Sequence, residues 1–244
     1  VTPSDDAPRG HAQLALELRM PPDQRFDTFV AAPPVALAQL RALARGESHD
    51  AVYVEGAHGT GKSHLLRATC ADANASGRRV AYLPLDSLHG RLRDAMALAA
   101  GRDLVALDGL EAIAGERGDE VALFDLHNRA RAEGAALLYA ADAAPTALGF
   151  VLPDLVSRLA QCHRIALSPL GDDGRREVLR LRARHRGVAF DEAAIDWLLR
   201  RAGRDLAGLT ALLDRLDRAS LAAQRRITVP FLREVLGVSP EPSS

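Results

Sequence analysis

The stretch GAHGTGKS, Gly56 to Ser63, holds the only lysine of a 244-residue chain whose lysines and arginines together number 31. Gly56, Gly61, Lys62 and Ser63 satisfy GxxxxGK[ST], the phosphate-binding loop pattern. Glycines let backbone N–H groups turn inward around phosphate oxygens, and a helix opening directly behind them adds its partial positive charge. Gly59, Thr60 and His64 fall in the same stretch and join the candidate nucleotide contacts. Lys62 is expected on the β- and γ-phosphates as a compact cation and the Ser63 hydroxyl on Mg²⁺. The longer planar fork of arginine does not substitute for that lysine, which explains why one position in an arginine-rich chain keeps it. The ligand read from this loop is ADP or ATP with Mg²⁺.

A nucleotide site of this kind needs an acid beside the phosphates, and LVALDGLE supplies Asp108 at the end of an apolar run, placed to hold Mg²⁺ directly or through water. Its alternative use is to cap a turn. In many hydrolases with this loop a second acid follows at once to activate water; here the next residue is Gly109. Glu111 serves in its place only if the loop curls back.

Short apolar runs with turn residues near their ends must position these groups. AVYVEG (51–56), RVAYLPL (79–85), DLVALDGL (103–110), AALLYAAD (135–142) and HRIALSPL (163–170) alternate with helical patterns, which predicts an α/β fold with a five-stranded parallel sheet buried on both faces. After Leu170 the strand signal stops. Four helix-spaced segments, from DDGRREVLRLRARHRG to VPFLREVLG, predict a small all-helical lid. The expected organisation is a flexible tail at 1–22, a nucleotide-binding domain at 23–170, the lid at 171–238 and a disordered end at 239–244. Net charge is −1, without the basic excess that broad nucleic-acid binding requires. Cys70 and Cys162 lack metal-like spacing and fit a reducing compartment. The first residues read against a secretory leader and no run is long enough to span a bilayer, so a cytoplasmic location without membrane contact is the expectation.

A phosphate loop on a parallel sheet followed by a helical lid resembles AAA+ proteins, and further stretches resemble the DnaA/Hda family among them. RFDTFVAAPPVALAQLRAL is similar to the family's segment leading into the nucleotide site. LPDLVSRLA is similar to its arginine-finger box and GRDLAGLTALLDRLD to its second-sensor helix. With LVALDGLEAIAG, ALFDLHNR and LDRASLAAQRRITVPFLREVL, the resemblance spans nearly the whole chain and looks closest to the Hda branch, the DnaA-related regulatory inactivators. DnaA carries a further C-terminal helix-turn-helix domain, and this sequence stops before one.

The resemblance implies that Arg158 is an arginine finger acting in trans in a neighbouring subunit's nucleotide site, and that Arg204 is the second sensor. It implies that Asp142 is the first sensor, although Ala140 and Ala141 replace the small polar residues often found beside it. QLALEL is similar to the family's clamp-docking peptide, with Gln13, Leu14, Leu16 and Leu18 as the contacts. Extended, the three leucines project to one side and the glutamine amide offers paired hydrogen bonds; the residues alone, without the resemblance, favour an amphipathic first strand packed on its own domain. The implied partners are DnaA, the DNA polymerase III beta sliding clamp, DNA indirectly through the clamp, and a second copy in a possible homo-oligomer. The implied function is a replication-initiation regulator, nucleoid-associated through the clamp, that stimulates hydrolysis of DnaA-bound ATP while its own ATPase is weak. The alternative is a self-sufficient ATPase of the helicase-loader kind.

Overall fold

The central apolar runs become strands because they carry buried residues in succession, while the two edge runs, at 80–84 and 163–166, are buried only at some positions. Leu104, Val105, Ala106 and Leu107 are all buried, as is every residue of Ala136–Ala141. Such runs suit a sheet covered on both sides. The computed structural model describes residues 24–30, 33–201, 206–223 and 225–237. The clamp-like Gln13, Leu14, Leu16 and Leu18, and the sensor-like Arg204, lie outside them.

In chain order the described elements are α1 (Pro34–Arg45), β1 (Ala51–Glu55), α2 (Lys62–Ala75), β2 (Val80–Pro84), α3 (Leu92–Ala99), β3 (Leu104–Asp108), α4 (Arg117–Ala132), β4 (Ala136–Ala141), α5 (Pro153–Ala160), β5 (His163–Ala166), α6 (Asp172–Arg186), α7 (Glu192–Arg201), α8 (Leu206–Ala223) and α9 (Val229–Leu236). The sheet has five strands in the order β2-β3-β4-β1-β5, all parallel. All C-terminal strand ends therefore meet at one edge, where an open α/β sheet binds its ligands. Five strands and a helical C-terminal part agree with the sequence expectation.

One face of the sheet buries Tyr53, Leu107 and Tyr139 with residues of α3, α4 and α5. The other buries Val52, Val54 and Leu138 beneath α1 and α2. Both buried tyrosines keep their hydroxyls satisfied: Tyr53 donates to Ala143 O at 2.8 Å, and Tyr139 lies 2.9 Å from His127 Nδ1. A third core belongs to the C-terminal helices, where Leu179, Trp197, Leu213 and Phe231 pack together.

Two buried carboxylates in the first turn of α4 fix the loops around the sheet. Asp119 accepts the N–H groups of Gly90 and Leu92. Glu120, fully buried, accepts those of Gly115 (2.8 Å), Val151 (2.9 Å) and Leu152 (2.7 Å). Leu152 is the residue directly before α5, so Glu120 ties the start of α4 to the start of the helix that carries Arg158. A neutral amide here turns an N–H group toward backbone donors. Glu120→Gln is expected to lower stability by about 2–3 kcal/mol, read as a fall in the urea midpoint without a change in slope.

Candidate functional site

The phosphate loop closes where backbone freedom and space both restrict the side chain. Gly59 and Gly61 take positive φ of 79° and 97°, and a Cβ on Gly61 would lie 2.6 Å from the Phe29 ring. Gly56 has no such φ but no room either: a Cβ there would meet Leu167 O at 2.6 Å and Thr60 Oγ1 at 2.7 Å. Thr60 Oγ1 donates to Ala57 O at 2.9 Å across the turn. Lys62 then opens α2, with Ser63 beside it on the cleft wall.

The Lys62 side chain is only 8% exposed and its ammonium is fully engaged. It donates to Gly56 O at 2.7 Å and Ala57 O at 3.3 Å, and pairs with Asp142 Oδ1 at 2.6 Å. Sheet register creates this pair: β1 and β4 align Glu55 with Ala141, so the residues that follow, Gly56 and Asp142, leave the sheet side by side. His64, expected on the nucleotide, borders the cleft but directs its ring to the segment before α1. Its Nε2 lies 2.8 Å from Arg25 O and 3.3 Å from Thr28 Oγ1, and the ring meets Phe29 edge-on at 5.2 Å. It fastens that segment over the loop.

Asp108 ends β3 and accepts a hydrogen bond from the Tyr82 hydroxyl, which in turn accepts from Arg67 Nε at 3.0 Å. The Arg67 guanidinium also stacks on the Tyr82 ring at 5.2 Å. Burial, with the Asp108 charge and hydrogen bond adding to it, pushes the Tyr82 phenol well above its ordinary pKa. It stays a donor. The loop after Asp108 does curl back. Gly109 takes φ +84° and a 3-10 turn follows over Leu110–Ile113, bringing Glu111 Oε2 within 3.1 Å of the Asp142 N–H. Partial desolvation, aided by the charge of Asp142, raises the Glu111 pKa against the hydrogen bonds that pull it down.

Sequence reasoning missed Asp86. A Cβ built on Gly109 would sit 3.3 Å from Asp86 Oδ1, so a carboxylate from the turn after β2 occupies the space to which an acid at 109 would point. The available signal was positional: parallel neighbours end at one edge, β2 and β3 align Pro84 with Asp108, and an acid two residues past Pro84 belongs there. Tyr82 and Arg67 were missed for the same reason. These groups border a cleft of about 350 Å³, closed on the lid side by Leu170, Val178 and Arg182. Among the described residues no group of three or more His, Cys, Asp or Glu is placed to hold a metal by itself. The residues fit Mg²⁺ held jointly by Ser63, Asp108 and phosphate oxygens, since that ion keeps few protein ligands.

Arg158 is elsewhere. It is exposed in the last turn of α5 and borders a second cleft of about 370 Å³, with Asp50, His127, Arg131 and His163. This cleft lies at the N-terminal ends of β1 and β5. From Ala51 on its wall to Gly56 at the phosphate loop the strand runs roughly 16 Å, beyond the reach of a guanidinium. His127 is buried there, and desolvation first, then the charges of Arg158 and Arg131, depress its pKa to about 4.

A family model described as the bacterial DnaA ATPase domain matches residues 20–166, and one described as the Hda lid domain matches residues 172–236. Among solved structures, domain III of the Thermotoga maritima replication initiation protein DnaA superposes with a TM-score of 0.75 at 20% identity, over 91% of this chain and 99% of that one. Aquifex aeolicus DnaA bound to AMPPCP gives 0.65 at 21% identity, over 80% of this chain and 66% of that one. The Thermotoga maritima RuvB branch migration motor gives 0.63 at 16% identity, over 90% and 72%. At these identities the likeness is one of fold.

His127 carries a pH signature. Because its folded-state pKa lies near 4 and its free value near 6.5, the unfolded chain binds more protons between those limits. Stability is thus complete above pH 6.5 and declines as pH falls toward 4, by on the order of 3 kcal/mol from this residue. Urea midpoints across pH 4–7 are expected to fall less steeply for His127→Gln than for the parent.

Proposed function

The chain belongs to the DnaA/Hda family of AAA+ proteins, and from that premise we propose that it regulates replication initiation by docking on the DNA polymerase III beta sliding clamp and presenting Arg158 to ATP held by DnaA. Hydrolysis of that ATP then inactivates the initiator and prevents re-initiation. The observation that carries the reading is the position of Arg158: exposed, at the opposite end of the sheet from Lys62, with its guanidinium in no hydrogen bond or ion pair among the described residues. It is too far from its own phosphate loop and is open to a neighbour's. A guanidinium placed against the developing charge of a transferring phosphoryl group is worth about 10³ to 10⁵ in rate in known cases.

On this reading the first cleft binds ADP or ATP to set the shape of the protein. Gly56, Gly59, Thr60 and Gly61 give backbone N–H groups to the phosphates, Lys62 gives its charge, and Ser63 and Asp108 hold Mg²⁺. Asp142 and Arg204 sense the nucleotide from strand and lid. Lys62 is at present neutralised by Asp142, so phosphate competes with that pair for the ammonium. Gln13, Leu14, Leu16 and Leu18 supply the clamp contact, which brings the chain to DNA and to the nucleoid through the clamp. Self-association and a cytoplasmic location belong to the same reading. No described helix is long and apolar enough to cross a membrane.

The carboxylates of Asp86 and Glu111 beside Gly109 favour a second reading, in which the chain hydrolyses its own ATP as a remodelling enzyme of the helicase-loader kind. Isolated protein separates the two. Slow turnover that stays slow is expected; rapid turnover abolished by Asp86→Asn and indifferent to DnaA would establish the second.

The principal test is hydrolysis of DnaA-bound ATP in the presence of DNA-loaded clamp. Arg158→Ala is expected to reduce stimulation at least 10³-fold while pull-down on the clamp is unchanged, and Gln13→Ala to lose the pull-down. Stimulation by Arg158→Ala equal to that of the parent would remove the finger from the account.

A further inference from the structure

We infer that the cleft beneath Arg158 is a phosphate seat in which Arg131 is a second cationic arm, and that it receives the polyphosphate chain of a nucleotide held by a neighbouring AAA+ domain. The inference rests on the reading of Arg158 given above and extends it to a residue that neither the sequence motifs nor the family comparison singled out. Arg131 lies in the last turn of α4 and Arg158 in the last turn of α5, and both border the cleft. Helix C-termini favour cations, so the fold holds two guanidiniums on rigid supports rather than on loops.

What sets this pair apart is that both residues border one cleft, with no carboxylate paired to either guanidinium among the described residues. Several arginines elsewhere are matched: Arg79 with Asp103, Arg164 with Glu55, Arg176 with Asp196 and Arg180 with Glu192. Among the described residues the Arg131 side chain makes one hydrogen bond, to His49 O at 3.0 Å, and meets no carboxylate. Asp50 is, among the described residues, the only carboxylate on the cleft wall; it accepts from Ser48 Oγ at 2.8 Å and faces His163 Nε2 at 3.9 Å. Two guanidiniums and two imidazoles thus confront one acid that already has partners.

Like charges gathered around an open space of about 370 Å³ repel one another until an anion enters. Phosphate oxygens match the guanidinium fork in shape as well as charge. His127 supports the assignment: its buried ring gives Nδ1 to Tyr139 and its edge to the cleft, and its charged form is suppressed partly by these same arginines. An anion between the arginines lifts that suppression.

In the neighbour's site the water oxygen bonds to the γ-phosphorus, the bond to the β–γ bridging oxygen breaks with its electron pair leaving on ADP, and phosphate and a proton are released. Arg131 transfers no proton. It neutralises oxygen charge beside Arg158.

The test uses tripolyphosphate on the full chain saturated with Mg·ADP, so that the phosphate loop is already filled, and follows the ring C–H signals of His127 and His163 by NMR. Saturable shifts are expected in the parent, with the His127 titration moving upward, at least tenfold weaker binding in Arg131→Ala, and substantial retention in Arg131→Lys. Absence of saturable shifts in the parent, or parental binding by Arg131→Ala, overturns the seat. Its occupant is then identified in the DnaA-bound ATP assay. Arg131→Ala is expected to slow stimulated hydrolysis on the order of tenfold with clamp pull-down intact, and to add nothing on top of Arg158→Ala. Normal stimulation by Arg131→Ala beside a defective Arg158→Ala overturns the neighbour's nucleotide as occupant. Normal stimulation by both variants instead fails the reading of Arg158 while the tripolyphosphate result stands by itself.

Discussion

A lysine ammonium buried to 8% exposure survives inside a protein only where oxygen atoms surround it, and at Lys62 the sheet and its loop provide them. Gly56 O and Ala57 O come from the loop that Lys62 itself closes, and Asp142 comes from the adjacent strand. Most of the molecule can be traced from that arrangement. The loop needs β1 buried on both faces to launch it, Gly56 needs empty space against Leu167, and Asp142 needs β4 directly beside β1. Glu111 then holds Asp142 through its backbone N–H, which in turn requires the chain to reverse at Gly109.

The parallel sheet also separates two kinds of chemistry. At the C-terminal edge converge the groups suited to holding a nucleotide: Lys62, Ser63, Asp108 and, from neighbouring loops, Asp86 and Glu111. At the N-terminal edge lies a cleft dominated by cations, with Arg131 and Arg158. The strands between are too long for one set to serve the other. On the proposed reading the second cleft acts on phosphate presented by another molecule, and association becomes part of the chemistry.

Precision at that second cleft comes from buried acids rather than from the arginines. Glu120 accepts backbone N–H groups from the residues before α4 and from those before α5, the helix that carries Arg158. A charge-assisted bond to backbone donors fixes a loop more firmly than a surface ion pair, whose net worth is about 0–1 kcal/mol. The many ion pairs along α6 and α7, such as Arg176 with Asp196 and Arg180 with Glu192, belong to that weaker class.

The sequence by itself determined the strand runs, the phosphate loop, the acid at Asp108 and the all-helical C-terminal part, because each rests on neighbours in the chain: successive apolar residues, fixed glycine spacing, helical periodicity. It also exposed the gap at Gly109 and the condition on Glu111. Only the tertiary structure decided how that gap is filled. Asp86 reaches it because β2 lies beside β3, and Asp142 meets Lys62 because the fourth strand inserts next to the first. Strand order 2-3-4-1-5 is a long-range property that no local pattern encodes. The joining of Arg131 to Arg158 was hidden likewise, since residues 27 positions apart on different helices become neighbours only when both pack on one face of the sheet.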